Sequence, residues 1–198
     1  MAASCVRFAT IGTNFITDAF LDGATHCAAF RHTAVFSRTL ERAKEYAVSR
    51  AGEDNSLLLF DSLDEVAACP DVDAVYIASP TSEHAKQAIT LLNGKKHVLC
   101  EKPACSHATE LEAVLAAAKA NGVAFMEAMR PLKTPNFTAA QERLAALDAP
   151  PRLFLGSFCQ LSSRWPAWLR GERPNAFLPD LSNGAVKRPT PILSPTPT

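Results

Sequence analysis

The sequence has no excess of charge of either sign: 20 lysines and arginines balance 20 aspartates and glutamates, for a formal net charge of zero. That balance excludes the electrostatic footprint of a nucleic-acid or acidic-membrane binder. No apolar run approaches the roughly 20 residues that span a bilayer. The stretch Met1-Ala2-Ala3-Ser4-Cys5-Val6-Arg7 lacks the basic and long apolar segments of a signal peptide. Six cysteines are present (Cys5, Cys27, Cys69, Cys100, Cys105 and Cys159), yet there is no C-x-x-C and no paired Cys/His spacing. A zinc site and a disulfide framework therefore find no support, and no metal is expected. There is no internal repeat. The expectation is a cytoplasmic globular protein without nucleic-acid or membrane partners. Its apolar fraction of 47% is enough to build a core.

What is present is alternation. Short β-branched or aromatic runs at residues 6–11, 33–38, 57–60, 73–78, 97–100 and 123–126 read as strands. Between them lie stretches with helical spacing, such as Ala85, Ala88, Ile89 and Leu92, or Leu111, Val114, Leu115 and Ala118. Ser62-Leu63-Asp64-Glu65 has capping-box spacing, and Ser106 or Thr109 is placed to cap a later helix. Strands alternating with helices predict an α/β fold with a doubly wound parallel sheet of the Rossmann type.

Two strand ends carry the chemistry. The first strand ends at Gly12, and Thr13, Asn14, Phe15 and Ile16 open a helix. Strand, glycine turn and helix begin a dinucleotide-binding unit, in which N–H groups at the helix N-terminus face a pyrophosphate. The full G-x-G-x-x-G pattern is missing, with Asn14 at the second glycine position and Thr17 at the third. Asn14 is expected to tolerate the left-handed backbone there. An ordinary strand–helix turn is the competing reading. The fifth strand runs into Glu101-Lys102-Pro103. An unpaired buried lysine is costly, so these charges belong at the strand's mouth, where parallel sheets bind ligands. A solvated Glu–Lys pair on a loop is the alternative.

The second strand ends about 25 residues after Gly12, where the chain meets an adenosine ribose. Aspartate and glutamate are absent there. Ser37 and Arg38 stand in their place. A hydroxyl and a guanidinium suit a 2′-phosphate, so NADP is preferred over NAD. A surface arginine opening the next helix would look the same.

These motifs, with Asp71-Val72-Asp73-Ala74-Val75-Tyr76-Ile77-Ala78-Ser79-Pro80, Ser82-Glu83-His84, residues 96–103 and Phe125-Met126-Glu127-Ala128, resemble the N-terminal part of the glucose–fructose oxidoreductase/inositol dehydrogenase/MocA family. The resemblance covers roughly residues 6–185. It implies an NAD(P)-dependent oxidoreductase acting on a hydroxyl or carbonyl of a small-molecule sugar, polyol or diol. Lys102 would polarise or deprotonate the reacting hydroxyl. Ser79, Pro80, Thr81 and His84 would line the cofactor path. Glu101 would orient Lys102 or hold the ribose, Glu127 would lie at the sixth strand's mouth, and Trp165 would close over the cofactor.

The resemblance implies residues 1–131 as the dinucleotide-binding domain and residues 132–185 as a linker helix with the start of a second domain. Within the latter, residues 152–161 read as a strand without a partner. Residues 186–198 are rich in proline and threonine and read as a disordered tail. After Ser182-Asn183-Gly184-Ala185 the family's aspartate-containing helix does not follow. The second domain is thus expected to be incomplete, its homo-oligomer interface missing, and residues beyond Pro151 poorly ordered. The alternative function is a non-catalytic nucleotide-binding remnant or redox-sensing module.

Overall fold

The structure is a computed structural model that describes residues 5–51 and 56–149, together with 152, 153, 155, 166 and 170. The expected strand at 152–161 lies largely outside the described residues, and Trp165 and the expected tail at 186–198 lie wholly outside them. The chain divides into two compact units, Met1–Ala128 and Met129–Thr198.

The first unit is built on six parallel strands: β1 (Val6–Ile11), β2 (Phe30–Phe36), β3 (Leu58–Phe60), β4 (Ala74–Ile77), β5 (His97–Cys100) and β6 (Phe125–Glu127). The helices between them are α1 (Phe15–Ala24), α2 (Leu40–Ala51), α3 (Leu63–Ala68), α4 (Thr81–Asn93) and α5 (Ala108–Asn121). Strand order is β3-β2-β1-β4-β5-β6. The alternation read from the sequence is therefore a Rossmann-type doubly wound sheet, with its switch point between β1 and β4.

The pleat divides the strands between two layers. Ala9, Ile11, Val75, Ile77, Val98 and Cys100 join Val66, Leu91, Leu92 and Val114 of α3–α5 in one buried cluster. Each large apolar side chain there contributes about 1.5–3 kcal/mol by leaving water. Phe8 and Tyr76 meet Phe20 of α1 instead. Helix α2 joins α1, with the Tyr46 hydroxyl donating to Asp18 at 2.7 Å.

The amino edge of the sheet is held by charge. The Arg7 guanidinium donates to both carboxylate oxygens of Asp73, at 2.7 and 3.0 Å, and to Asp71 at 2.8 Å. The Arg7 hydrogen bond holds the Asp73 carboxyl down at about 2. Lys96 is buried and donates to the carbonyls of Cys69 and Val72. The acids at 71 and 73 thus lock β1 to β4 at the end away from the strand mouths.

Local differences from the sequence reading have simple causes. Strand β2 begins at Phe30 because its ladder with β1 starts at Val6↔Phe30, and it ends at Phe36, leaving Ser37 and Arg38 in the following loop. Ser62 precedes α3 but makes no side-chain capping bond. Neither Ser106 nor Thr109 caps α5; His107 does, its Nδ1 accepting from the Glu110 N–H at 3.4 Å.

In the second unit, a 3-10 turn at Arg130–Lys133 leads to α6 (Pro135–Ala145). Thr134 caps α6 by accepting from the Phe137 N–H at 3.4 Å, and Pro135 occupies the first helical position, where a missing N–H costs nothing.

His32 of β2 gives the fold an acid limit. Its ring stacks on Phe8 at 5.2 Å, and its Nε2 lies 3.1 Å from the Thr10 hydroxyl. Burial pulls it down to about 4. The unfolded chain therefore binds the proton more readily than the folded one. Stability from this group is complete above about pH 6.5 and is lost as pH falls towards 4. Unfolding free energies from urea titrations at pH 7 and pH 4.5 should differ by on the order of 2–3 kcal/mol through this group, and His32→Phe should flatten that window. An unchanged slope in the variant would assign the loss to other groups.

Candidate active site at the carboxyl edge of the sheet

The registers align Phe60, Phe36, Ile11, Ile77, Cys100 and Glu127 across the carboxyl edge of the sheet. The residues that follow them make one rim. Gly12 follows β1, Ser37 and Arg38 follow β2, Ser79 follows β4, and Glu101 and Lys102 follow β5. Candidates separated by up to 115 positions in the chain, from Gly12 to Glu127, are thus brought to one edge because all six strands run the same way.

At the switch point, the turns after β1 and β4 touch. Gly12 has φ +105°, and a Cβ there would stand 2.5 Å from the Ala78 carbonyl oxygen. Asn14 does not take up the left-handed backbone expected of it; its φ of −123° and ψ of 172° are extended, and it is the N-cap of α1. Its Oδ1 accepts from the N–H of Ile16 at 2.9 Å and of Thr17 at 3.4 Å, and its Nδ2 donates to Ala78 O at 2.6 Å. One asparagine therefore caps the helix and ties it to the next loop. The expected donor Ile16 is consequently already engaged. The N–H groups of Asn14 and Phe15 carry no partner among the described residues. Thr17, at the third glycine position, satisfies itself locally by donating its hydroxyl to Gly12 O at 3.0 Å. Phe15 stands 73% exposed at the start of α1, and Thr13 is half-buried.

Past β2, Ser37 is 7% exposed, and its hydroxyl has no hydrogen-bond partner among the described residues. Arg38 beside it is exposed and likewise unpaired. A buried hydroxyl without a partner is uncommon and calls for a ligand or water.

Past β4, Ser79 donates its hydroxyl to Gln87 Oε1 at 2.6 Å, and Pro80 and Thr81 start α4. His84 does not line this path as expected. It is 1% exposed, and its Nδ1 and Nε2 each lie 2.9 Å from a carbonyl oxygen, of Pro103 and Ser79 respectively. Both ring nitrogens are used inside the protein. His84 stands behind the rim and joins the loop after β4 to the loop after β5.

Past β5, the main chain of residues 101–104 is tied at every step. Glu101 N–H donates to Ile77 O at 2.8 Å, and Lys102 N–H to Glu101 Oε2 at 3.3 Å. Pro103 O faces His84, and Ala104 N–H donates to Glu127 Oε1 at 2.8 Å. Glu127 thus braces this loop from the end of β6. Glu101 does not orient the Lys102 ammonium directly; its Oε1 accepts from the Tyr76 hydroxyl at 2.7 Å. The Lys102 side chain is exposed and its ammonium has no hydrogen bond or ion pair among the described residues. A rigid main chain holds a free cation. Cys100 is buried below it, and burial pushes its thiol far above the usual range, so it is no nucleophile.

Tyr76 was missing from the candidates read off the sequence. It looks there like an ordinary β-strand aromatic, and only its neighbour in the sheet gives it a polar partner.

A family model described as "Oxidoreductase family, NAD-binding Rossmann fold" matches residues 6–129. The chain is 48% identical over 181 residues to scyllo-inositol 2-dehydrogenase (NADP(+)) IolU of Bacillus subtilis. It is 40% identical over 181 residues to the uncharacterized oxidoreductase YgjR of Escherichia coli. Each alignment covers 91% of this chain and 54% of the relative. The chain thus spans about half the length of the curated relatives it matches. Among solved structures, KijD10, a 3-ketoreductase from Actinomadura kijaniata in complex with NADP and TDP-benzene, superposes with a TM-score of 0.63 at 28% identity, over 71% of this chain and 42% of that one. The apo scyllo-inositol dehydrogenase of Lactobacillus casei shares the fold, with a TM-score of 0.65 at 20% identity over 73% of this chain and 43% of that one. With its sheet order, its glycine turn and a family match over more than half of its length, the chain belongs to the glucose–fructose oxidoreductase/inositol dehydrogenase/MocA oxidoreductase family, within that family's NAD-binding Rossmann fold.

Proposed function

We propose that this chain binds NADP and takes part in hydride transfer between it and a hydroxyl-bearing or carbonyl carbon of a sugar, polyol or diol, with Lys102 as the catalytic residue. The observation that carries this reading is the free Lys102 ammonium on a fully tied main chain at the carboxyl edge of the sheet. Scyllo-inositol is the first substrate to try, because the 48% identical relative is named for it.

The residues fit the cofactor. The unpartnered N–H groups of Asn14 and Phe15, on the Gly12 turn, suit the pyrophosphate. The unpartnered Ser37 hydroxyl and Arg38 guanidinium suit a 2′-phosphate. Thr13 and the exposed face of Phe15 border the same turn, and Ser79, Pro80 and Thr81 form the far wall of the crevice. When bound, NADP supplies the carbon that accepts or gives the hydride. Lys102 supplies charge and a proton at the reacting oxygen. In the carbonyl direction the Lys102 ammonium donates an Nζ–H to that oxygen as negative charge develops. In the alcohol direction Lys102 acts as the neutral amine, having first released a proton to solvent, so that its Nζ takes up the hydroxyl proton as hydride leaves the carbon.

Titrating NADPH against the chain by fluorescence, then assaying hydride transfer over inositols, sugars and diols, tests the reading. Saturable binding with turnover supports it, and absence of binding overturns it. Binding without turnover selects a dinucleotide-binding module in its place.

Arg38→Asp isolates the cofactor preference. NADPH affinity should fall by about tenfold to a hundredfold while NADH affinity holds or rises, because a charge-assisted bond to the phosphate becomes a repulsion. An unchanged NADPH-to-NADH ratio would make the assignment of Ser37 and Arg38 wrong.

A further inference from the structure

We propose that Tyr76 is the positioning residue for Lys102, acting through Glu101. The inference rests on the reading of Lys102 as the group facing the reacting oxygen, and it reassigns Glu101 from a ribose ligand to a strut inside the protein.

The lever starts in the core. Tyr76 is 3% exposed, and its ring lies flat on Phe20 at 3.8 Å with 14° between the planes. Phe8 in turn meets Phe20 edge-on at 5.6 Å. A ring stacked this way, on a central strand, has no room to swing. Its hydroxyl therefore occupies one place, and there it donates to Glu101 Oε1 at 2.7 Å. The same carboxylate receives the Lys102 N–H on its other oxygen at 3.3 Å. Each carboxylate oxygen thus has one internal donor, and the plane of the carboxylate is set from two sides. The Glu101 main chain is held as well, by its bond to Ile77 O at 2.8 Å.

The alternatives for the hydroxyl are few. Burial and the adjacent carboxylate push the Tyr76 phenol far above its usual range. It stays a donor throughout the working pH range, and a carboxylate is the acceptor that a permanent donor fixes best. Nothing about catalysis requires a tyrosine at this strand position for packing, since phenylalanine would stack on Phe20 equally well. The hydroxyl's contribution is the bond to Glu101. Without it, the half-buried carboxylate can rotate, and the Lys102 N–H loses a fixed acceptor. The ammonium then samples a wider volume, and its alignment with the reacting oxygen is diluted.

The test uses the full 198-residue chain with Tyr76→Phe, Glu101→Gln and the double variant. The first readout is the Lys102 backbone amide resonance in the cofactor-free protein. Tyr76→Phe should shift it clearly while amides at the amino edge of the sheet, such as Asp73, stay in place. The second is kinetic: Tyr76→Phe should lower kcat about tenfold with KM for the alcohol little changed. The double variant should be no slower than the slower single variant, because both changes cut the same lever. An unmoved Lys102 amide overturns the proposal, as do additive losses in the double variant. If Tyr76→Phe fails to fold, Phe20→Leu takes its place: it frees the stacked Tyr76 ring while leaving Glu101 intact, and an unmoved Lys102 amide there overturns the proposal. The amide readout needs no cofactor. Failure of NADPH to bind the parent chain would therefore sink the proposed function while leaving the lever to be judged on the amide.

Discussion

Replacing Lys102 with methionine is expected to abolish turnover, by about a thousandfold or more, while NADPH affinity stays within about threefold of the parent. Methionine keeps the length and removes the charge. The Lys102 side chain makes no hydrogen bond among the described residues, so its loss breaks nothing in the fold. The four ties on residues 101–104 involve main-chain atoms at positions 101, 102, 103 and 104, and these survive the substitution. A surface lysine of purely solvating character would give the opposite result, with kcat unmoved. Stopped-flow hydride transfer on scyllo-inositol, alongside NADPH fluorescence titration, separates the two. Retention of more than a tenth of the parent rate would remove Lys102 from the reaction.

Gly12→Ala is expected to cost about 3 kcal/mol or more of stability and to abolish cofactor binding with it. Two effects combine. The backbone sits at φ +105°, a conformation that a Cβ strains. The added methyl would also stand 2.5 Å from the Ala78 carbonyl oxygen and 2.8 Å from its carbon. That carbonyl cannot simply retreat, because it also accepts the Asn14 side chain at 2.6 Å. The strain therefore passes into both loops of the crevice at once. Gly23→Ala is the control. Gly23 lies within α1, and nothing stands within 4 Å of its added Cβ, so alanine there should be neutral or slightly stabilising. Urea unfolding of both variants measures the difference. Equal stability of Gly12→Ala and the parent chain would show that the switch-point loops are not in the contact described.

The Rossmann alternation was legible because its signals are local. Strand and helix periods appear within a few residues, and the first glycine turn and the Glu101-Lys102 step lie at strand ends that the pattern itself marks. Asn14 shows how little further local reasoning reaches. Its place in a degenerate glycine pattern pointed to a special backbone, whereas its real part is a side chain that caps α1 and grips Ala78. His84 shows the same limit. A histidine at a helix start reads as exposed or site-lining, but the two carbonyls that absorb its ring nitrogens come from the loops after β4 and β5.

What the sequence alone determined about this protein is the set of elements and the chemical character of two strand ends, because propensity, periodicity and charge act within a few residues. The tertiary structure decided which strand ends meet. Strand order set the switch point between β1 and β4 and paired Arg7 with Asp73 across 66 positions. It also placed Tyr76 beside Leu99, so that a core tyrosine reaches Glu101 across 25 positions. Those contacts depend on which strand lies next to which. That adjacency is settled by burying the whole sheet between its helices, and no local stretch of sequence carries it.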